Sequence, residues 1–214
     1  MSSSEISDTV DTLIGAIRAR RSFALNQLSP EPIDLDAVNL MLEAANWAPS
    51  HGQTEPWRFT VFAGEGRRGL SDAFGTAYRL HCSNLGIDPK AEQAQRNRVW
   101  QAPVWVSLGM VPGLNERGEP RMPEWEEILS VGVAAYNAHL VASSMGLGAK
   151  WTSGEVVRHP HVAQFVGLEP PAKLLGFLYI GRPAIAWPTA VRRPLADKVR
   201  WVTDAPDDSA GAGS

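Results

Sequence analysis

The sequence has little of several features that would indicate particular classes of protein. It contains one cysteine, Cys82, among 214 residues, so it forms no disulfide within the chain and no cysteine-ligated metal cluster. Its apolar stretches are interrupted well before the ~20 residues of a membrane-spanning helix. Its formal net charge of −3 gives no bulk attraction to nucleic acid or to an anionic membrane. Residues 1–8 lack the basic and apolar segments of a signal peptide, so the expectation is a cytoplasmic protein.

The common catalytic and nucleotide-binding motifs are also missing. The sequence has no Gly-x-Gly-x-x-Gly after a first strand, no P-loop lysine and no Gly-x-Ser-x-Gly elbow. His159 and His161 flank Pro160, but no second pair of ligands has a spacing typical of a metal site. We therefore expect no metal centre.

The composition is that of an ordinary globular domain. Hydrophobic residues make up 44% and charged residues 20% of the sequence, which is sufficient for a sizeable core. The segment 204–214 consists of Asp, Ala, Gly, Ser and Pro and cannot bury enough apolar surface to order itself. We therefore predict one domain over residues 9–203, with flexible tails at 1–8 and 204–214.

The hydrophobic pattern predicts an α+β fold of about four strands covered by helices, without regular βαβ spacing. The predicted helices cover residues 8–20, 34–47, 67–80, 89–101 and 123–145, with short ones around 154–166. The predicted strands cover residues 57–62, 104–111, 149–152 and 174–180, and residues 184–202 have no clear period and are typical of an extended arm.

The longest predicted helix begins at Pro123 and ends near Met145. Proline suits a first helical turn, and the acidic residues that follow it suit the positive end of the helix dipole. Its apolar residues are spread around most of the circumference, which is typical of a helix buried on several sides. This helix is therefore expected either at the centre of the fold or as half of a dimer interface.

Basic residues cluster at the end of the first predicted helix, where Arg20, Arg21 and Ser22 follow Arg18. Arginine near a helix C-terminus is favoured by the helix dipole alone. The same groups would also donate several charge-assisted hydrogen bonds to one phosphate. A second basic pair, Arg192 and Arg193, lies in the predicted arm and would complete such a site if the two segments converge.

Two further segments are rich in groups that can bind a ligand. The first runs from Trp47 to Trp57 between a helix and a strand, and it contains Pro49, Ser50, His51 and Gln53. It can hold a polar heterocycle by its edge, although an isolated histidine is equally often a surface residue. The second, residues 150–154, includes Gly154, which allows close approach of a ligand to backbone amides, or is an ordinary strand-to-helix connection capped by Ser153.

In this order, these motifs resemble the nitroreductase family of flavoproteins. The resemblance rests on Arg-Arg-Ser at 20–22, Ala-Pro-Ser at 48–50 through Pro-Trp-Arg-Phe at 56–59, Trp-Glu at 125–126, Trp-Thr-Ser-Gly at 151–154, Gly-Phe-Leu-Tyr-Ile-Gly-Arg-Pro at 176–183, and Arg-Pro at 193–194. It covers roughly residues 10–203 and is nearest to a compact subgroup of NAD(P)H nitroreductases. It implies a mainly antiparallel sheet flanked by helices, with the C-terminal arm extended towards a dimer partner.

The resemblance also implies a function and a set of site residues. It implies FMN at the interface of a homodimer, NADH or NADPH as donor, and a small planar acceptor reduced in a ping-pong cycle. Arg20, Arg21, Ser22 and Arg193 would contact the phosphate and ribityl chain. His51 and Gln53 would contact the flavin from the partner chain, and Pro49 and Ser50 would also bind the cofactor. Trp151, Thr152, Ser153 and Gly154 would lie along the isoalloxazine ring, and Val141, Ala142, Ser143, Ser144, Met145 and Gly146 would border the nicotinamide and acceptor.

Two positions depart from the family pattern. Gln53 and Glu55 stand where the family usually has Asn and Gln, and Thr152 stands where the compact subgroup can have Arg. The acceptor is therefore less well defined than the cofactor. An enzyme of the same fold that acts on an enone, a halogenated aromatic or flavin, and a non-catalytic flavin-binding protein, remain alternatives.

Overall fold

The fold is an antiparallel sheet between two layers of helices. A computed structural model describes residues 3–203 of the chain, and the predicted tail at 204–214 lies outside them. Its helices are α1 (Ser3–Ala19), α2 (Leu35–Asn46), α3 (Arg67–Leu85), α4 (Glu92–Arg98), α5 (Glu124–Ser144) and α6 (Pro160–Phe165). Its strands are β1 (Trp57–Arg58), β2 (Val61–Ala63), β3 (Val104–Met110), β4 (Gly148–Thr152) and β5 (Lys173–Gly181).

The sheet confirms the predicted α+β class. Its strand order is β1-β3-β5-β4, β2 also pairs with β3, and every pairing is antiparallel. The segment predicted as one strand over 57–62 forms two short strands because Thr60 pairs with a side chain. The Thr60 N–H donates to the Ser107 hydroxyl, and the Ser107 N–H donates to the Thr60 carbonyl.

Two helix predictions differ from the structure. Helix α1 begins at Ser3, so residues 3–8, which were predicted to be a tail, are helical. This segment contains neither proline nor glycine, and Glu5 in the first turn favours the positive end of the helix dipole. Within the segment 154–166 only α6 is helical, because Pro160 sets the first turn and the His159 side chain caps it.

The core has one part on each face of the sheet. Helices α2 and α5 cover one face, where Met41 and Val131 are fully buried. Helix α3 covers the other face, where Phe74, Trp105 and Phe177 meet edge to face at 5.4–6.2 Å between ring centroids. Trp105 also satisfies its indole N–H by donating to the Val99 carbonyl at 2.9 Å. This aromatic cluster fixes the centre of the sheet and the position of β5.

The segment after β5 runs back along the N-terminal part of the chain. The Ala184 N–H donates to the Gln27 carbonyl, and the Trp187 indole donates to the Ala19 carbonyl at 2.8 Å. Beyond residue 188 the arm lies exposed, and Val191 retains 91% of its accessible surface. A single turn of 3-10 helix, Leu195–Lys198, interrupts the arm that was predicted to be extended throughout.

Apolar side chains remain exposed on two helices. Helix α1 exposes Val10, Leu13, Ile14 and Ile17, the residues that the periodicity placed on one face. Helix α5 is buried along one side and exposes Trp125, Leu129 and Tyr136 on another. Among residues 3–203, no helix is both long enough and apolar enough to span a bilayer.

Candidate active site

Two of the predicted clusters meet at the edge of the sheet. Strand β4 is the last strand of the sheet, and Ser22 forms one parallel bridge with Ala149 on its outer side. The Phe23 N–H donates to the Ala149 carbonyl at 3.3 Å. Because Ser22 contacts only the start of β4, the rest of this edge is unpaired among the residues that the structure describes. The basic cluster therefore lies at one end of an open strip that leads to Trp151–Gly154.

The two arginines of the basic cluster have different partners. The Arg20 guanidinium lies 3.4 Å from the Ser22 hydroxyl, so a cation and a hydroxyl point to the same place. The Arg21 guanidinium donates to the carbonyls of Pro188, Arg18 and Arg20 at 2.6–2.9 Å. Arg21 thus ties the arm to the end of α1, and Arg20 is the less committed of the two.

The structure does not bring Arg193 to the basic cluster. Among residues 3–203, the Arg193 side chain makes no hydrogen bond or ion pair with Arg20, Arg21 or Ser22. Its backbone carbonyl accepts from the Lys198 ammonium group at 3.0 Å, within the turn that follows. The contact of Arg193 with a phosphate stays a prediction.

His139 supports the basic cluster from α5. Its Nε2 donates to the Arg21 carbonyl at 2.8 Å, and only 7% of the residue is exposed. Burial lowers the pKa of the imidazole, and the positive charge of Arg20 lowers it further, against the raising effect of the Arg21 carbonyl. The neutral ring therefore braces the backbone on which Arg21 and Ser22 sit.

This histidine predicts a pH dependence of stability. Because the pKa is lower in the folded than in the unfolded state, the unfolded chain takes up the proton first as the pH falls. We expect this residue to lower the free energy of unfolding progressively as the pH falls through about 6.5, the ordinary pKa of histidine, by at most about 1.4 kcal/mol per pH unit. His139→Gln retains a donor and should flatten that dependence in urea unfolding at fixed protein concentration. An unchanged slope would contradict the assignment.

The far end of this strip, Trp151–Gly154, has neighbours on both faces of the sheet. Successive side chains of a strand point to opposite faces. Trp151 lies beside Gly132 of α5 and donates its indole N–H to the Leu175 carbonyl at 3.1 Å. Thr152 lies on the other face, and its hydroxyl is 3.4 Å from a guanidinium nitrogen of Arg98.

Arg98 brings a positive charge to the position where the family pattern allows arginine. It lies over the rings of Phe74 and Trp105 at 5.9 Å, and burial lowers the pKa of its guanidinium. Its other side-chain partner is the Gln95 carbonyl oxygen, and no carboxylate of the described residues pairs with it. A cation from α4 therefore lies beside Thr152.

The polar loop from Pro49 to Glu55 has an unusual backbone. Gln53 and Glu55 have φ angles of 52° and 45°, in the left-handed region that residues other than glycine rarely adopt. Gly52 has φ 60°, and its carbonyl accepts from Arg121 at 2.9 Å. The Ser50 hydroxyl accepts from the Glu55 N–H at 3.1 Å. Such strain persists only where neighbouring contacts hold it, and it is concentrated at functional sites.

His51 presents its imidazole from this loop. Its Nδ1 lies 2.5 Å from a carboxylate oxygen of Glu126, in the first turn of α5. A carboxylate accepts only, so this contact places the proton on Nδ1 and leaves Nε2 directed away from Glu126. Within the described residues, the loop makes no hydrogen bond to residues 20–22 or 151–154 of its own chain.

The predicted nicotinamide and acceptor segment, residues 141–146, closes α5. Ala142 is buried, its carbonyl accepts from Met145 and Leu147, and Ser144, Met145 and Gly146 are exposed. This end of α5 follows His139 and therefore lies at the Arg21 end of β4. Ile128 and Gly132, in the first half of α5, lie near the Trp151 end of β4.

Sequence reasoning missed several polar residues that support the site. Three arginines bind site residues: Arg98 contacts Thr152, Arg121 contacts Gly52 and Arg158 contacts Ser153. The first two pairs are 54 and 69 residues apart in the sequence, so no local sequence motif contains both partners. The third pair is 5 residues apart. His139 could have been noticed in the sequence, because it is an ionisable residue in the largely apolar second half of α5, where the structure buries it. A buried histidine in an apolar helix indicates a specific hydrogen bond.

A cavity of about 820 Å³ adjoins the Trp151 end of the strip. It lies between α6, the loop after it and the first half of β5, and we call it the α6–β5 cavity. Its lining includes Ile128, Arg158, His159 and Leu175. Leu175 also provides the carbonyl that accepts from Trp151, so the cavity and the strip share a wall.

Sequence and structure comparisons identify relatives over nearly the whole chain. Residues 17–182 match the Nitroreductase family. "Putative NAD(P)H nitroreductase YdjA" of Escherichia coli (strain K12) is 30% identical over 187 residues, which cover 87% of this chain and 94% of the relative. A Bacillus subtilis (strain 168) relative, YfhC, is 27% identical over 85% of this chain and 90% of its own.

Solved structures agree with this match. A nitroreductase-like family protein from Bacillus cereus superimposes with a TM-score of 0.74 at 26% identity, covering 89% of this chain and 96% of that one. A nitroreductase-type protein from Desulfovibrio desulfuricans in complex with FMN has a TM-score of 0.65 at 25% identity, over 90% and 97% of the two chains. The fold and the edge site thus define a nitroreductase-like protein. The chain belongs to the Nitroreductase family, which confirms the resemblance of its motifs.

Proposed function

We propose that the chain is an FMN-dependent oxidoreductase that takes hydride from NADH or NADPH and reduces a small planar acceptor, nitroaromatic or quinone-like. The observation that carries this proposal is the junction of Arg20 and Ser22 with the open edge of β4. It places a cation and a hydroxyl at one end of a strip and accessible backbone at the other. The FMN-bound relative and the NAD(P)H nitroreductase names of other relatives support the choice of cofactor and donor.

The residues present fit FMN by the chemistry of their donors. A guanidinium and a hydroxyl at 3.4 Å from each other suit a phosphate, which accepts charge-assisted hydrogen bonds. At the other end of the strip Trp151 is 37% exposed, and a Cβ built on Gly154 meets nothing within 4 Å. Arg20 and Ser22 would hold the phosphate, and residues 151–154 would lie along the flavin ring.

In this proposal the protein binds and orients FMN, the donor and the acceptor, because FMN itself supplies the hydride-accepting and electron-transferring chemistry. Arg98 adds positive charge behind Thr152, where it would favour a flavin that gains negative charge on reduction. His51, held by Glu126, would face the flavin of the partner together with Gln53. No side chain is assigned as an obligate acid or base, and water supplies the proton that the acceptor requires.

The proposal includes a homodimer with residues of both chains at each site. Helix α1 exposes an entire apolar face, and α5 exposes Trp125 and Leu129 beside the buried face that covers the sheet. Exposed apolar faces of this kind are typical of an interface with another chain. The arm beyond residue 188, which carries Val191 and Trp201, would reach onto the partner. Pro49, Ser50 and Arg193 would complete the site across this interface.

The experiment that tests the proposal is a spectrum of the purified protein before and after NADH or NADPH is added without oxygen. We expect an oxidised flavin spectrum that bleaches with at least one of the two donors. It should recover when a quinone or a nitroaromatic compound is added. Protein that cannot be loaded with FMN, or bound flavin that neither donor reduces, would contradict the proposal.

A further inference from the structure

The α6–β5 cavity is joined to the candidate site by two hydrogen bonds. Trp151 donates to the carbonyl of Leu175, a residue of the cavity wall. Arg158 donates its Nε–H to the Ser153 carbonyl at 2.6 Å and also lines the cavity. A molecule in the cavity therefore lies next to the strip that would carry the flavin ring.

The cavity has apolar walls and hydrogen-bond donors at its rim. Ile128, Leu168 and Leu175 provide aliphatic surface for a flat apolar ring. At the rim, the Nδ1 of His159 accepts from the His161 N–H at 3.2 Å, so any proton on a neutral ring resides on Nε2. Burial lowers the pKa of His159, and the neighbouring His161 and His81 lower it further. His159 is thus a neutral donor.

The charge at the rim comes chiefly from Arg158. Apart from Nε, its guanidinium nitrogens make no hydrogen bond or ion pair within residues 3–203. Lys173, the other cation of the lining, pairs with Glu124. The neighbouring acid Glu155 faces His81 at 3.4 Å, and the exposed Glu169 is the acidic residue of the lining. A guanidinium with two uncommitted nitrogens is suited to bind a carboxylate by both oxygens.

We propose that the α6–β5 cavity, and not the end of α5 at residues 141–146, binds the acceptor, and that Arg158 selects planar aromatic acceptors that carry a carboxylate. The inference rests on the proposed function and names the substrate class of that site. For a nitrobenzoate, two electrons and one proton come from NAD(P)H as hydride and a second proton comes from water. The nitro group becomes a nitroso group, and one molecule of water is released.

The first test compares 4-nitrobenzoate with nitrobenzene, which differ by the carboxylate. We expect Arg158→Gln to lower the ratio of kcat/KM for 4-nitrobenzoate to that for nitrobenzene by about tenfold, because one charge-assisted contact is lost. Arg158→Lys retains the charge and should preserve most of the ratio. Arg68→Gln is the control, since Arg68 is an exposed arginine that pairs with Glu65 on α3. An unchanged ratio in Arg158→Gln, or an equal loss in both Arg158 variants, would overturn the inference.

The second test measures binding without turnover. Calorimetric titration of 4-nitrobenzoate into FMN-loaded protein without NAD(P)H should give a dissociation constant that rises about tenfold in Arg158→Gln. Benzoate should compete in the native protein. A protein that binds 4-nitrobenzoate through Arg158 but does not oxidise NAD(P)H would contradict the proposed function and support the cavity assignment. A protein that reduces nitrobenzene while its affinity for 4-nitrobenzoate is independent of Arg158 would overturn the cavity assignment alone.

Discussion

Replacing Gly176 with alanine is expected to destabilise the protein by about 3 kcal/mol or more. Gly176 has φ 131°, a backbone angle that residues other than glycine do not adopt without strain. A Cβ at this position would overlap the Thr152 carbonyl oxygen and lie 2.8 Å from the Trp151 indole nitrogen. Both neighbours belong to β4, so the strain falls on the β4–β5 pairing that forms the candidate site. The free energy of unfolding in urea measures the effect.

A matched control separates this strain from the general effect of a glycine substitution. Gly66 precedes α3 with φ −57°, and a Cβ built there meets nothing within 4 Å. Gly66→Ala should therefore change stability by less than about 1 kcal/mol. If Gly176→Ala were as stable as Gly66→Ala, the close approach of β4 to β5 at Thr152 would not be required by the fold.

The central elements of the fold were predictable because each has a strong local signal. Strand β3 and strand β5 are almost continuous apolar runs, and α5 begins at a proline followed by acidic residues. The interruption between β1 and β2 had no such signal. It depends on the Ser107 hydroxyl, which is 47 residues from Thr60 in sequence and takes the place of a backbone partner.

The sequence predicted the three clusters of site residues, but it did not predict how they lie relative to one another. The motifs at 20–22 and 151–154 were both recognised, but the bridge from Ser22 to Ala149 that joins them depends on the folded sheet. The same limit applies to Arg21, whose bonds to three backbone carbonyls are invisible in an Arg-Arg-Ser motif. Residue type predicted the chemistry of the cluster, and only the fold distinguishes the arginine that ties the arm from the one beside Ser22.

That distinction leads to a second prediction with a large effect, on the affinity for FMN. We expect Arg20→Gln to raise the dissociation constant of FMN about 30-fold, because a charge-assisted hydrogen bond to phosphate contributes about 2 kcal/mol. The affinity for riboflavin, which has no phosphate, should change by less than about twofold, because the substitution leaves the strip 151–154 intact. Flavin fluorescence titration of the apoprotein measures both constants.

The neighbouring arginines provide the controls. Arg18→Gln removes an exposed guanidinium from the last turn of α1 and should leave both dissociation constants near their native values. Arg21→Gln removes the bonds to the arm, so it should lower stability and weaken FMN and riboflavin binding to a similar extent. If Arg20→Gln weakened the two flavins equally, Arg20 would act on the fold of the edge and not on the phosphate. A loss confined to FMN would place the phosphate between Arg20 and Ser22, with the flavin ring directed along β4 towards the α6–β5 cavity.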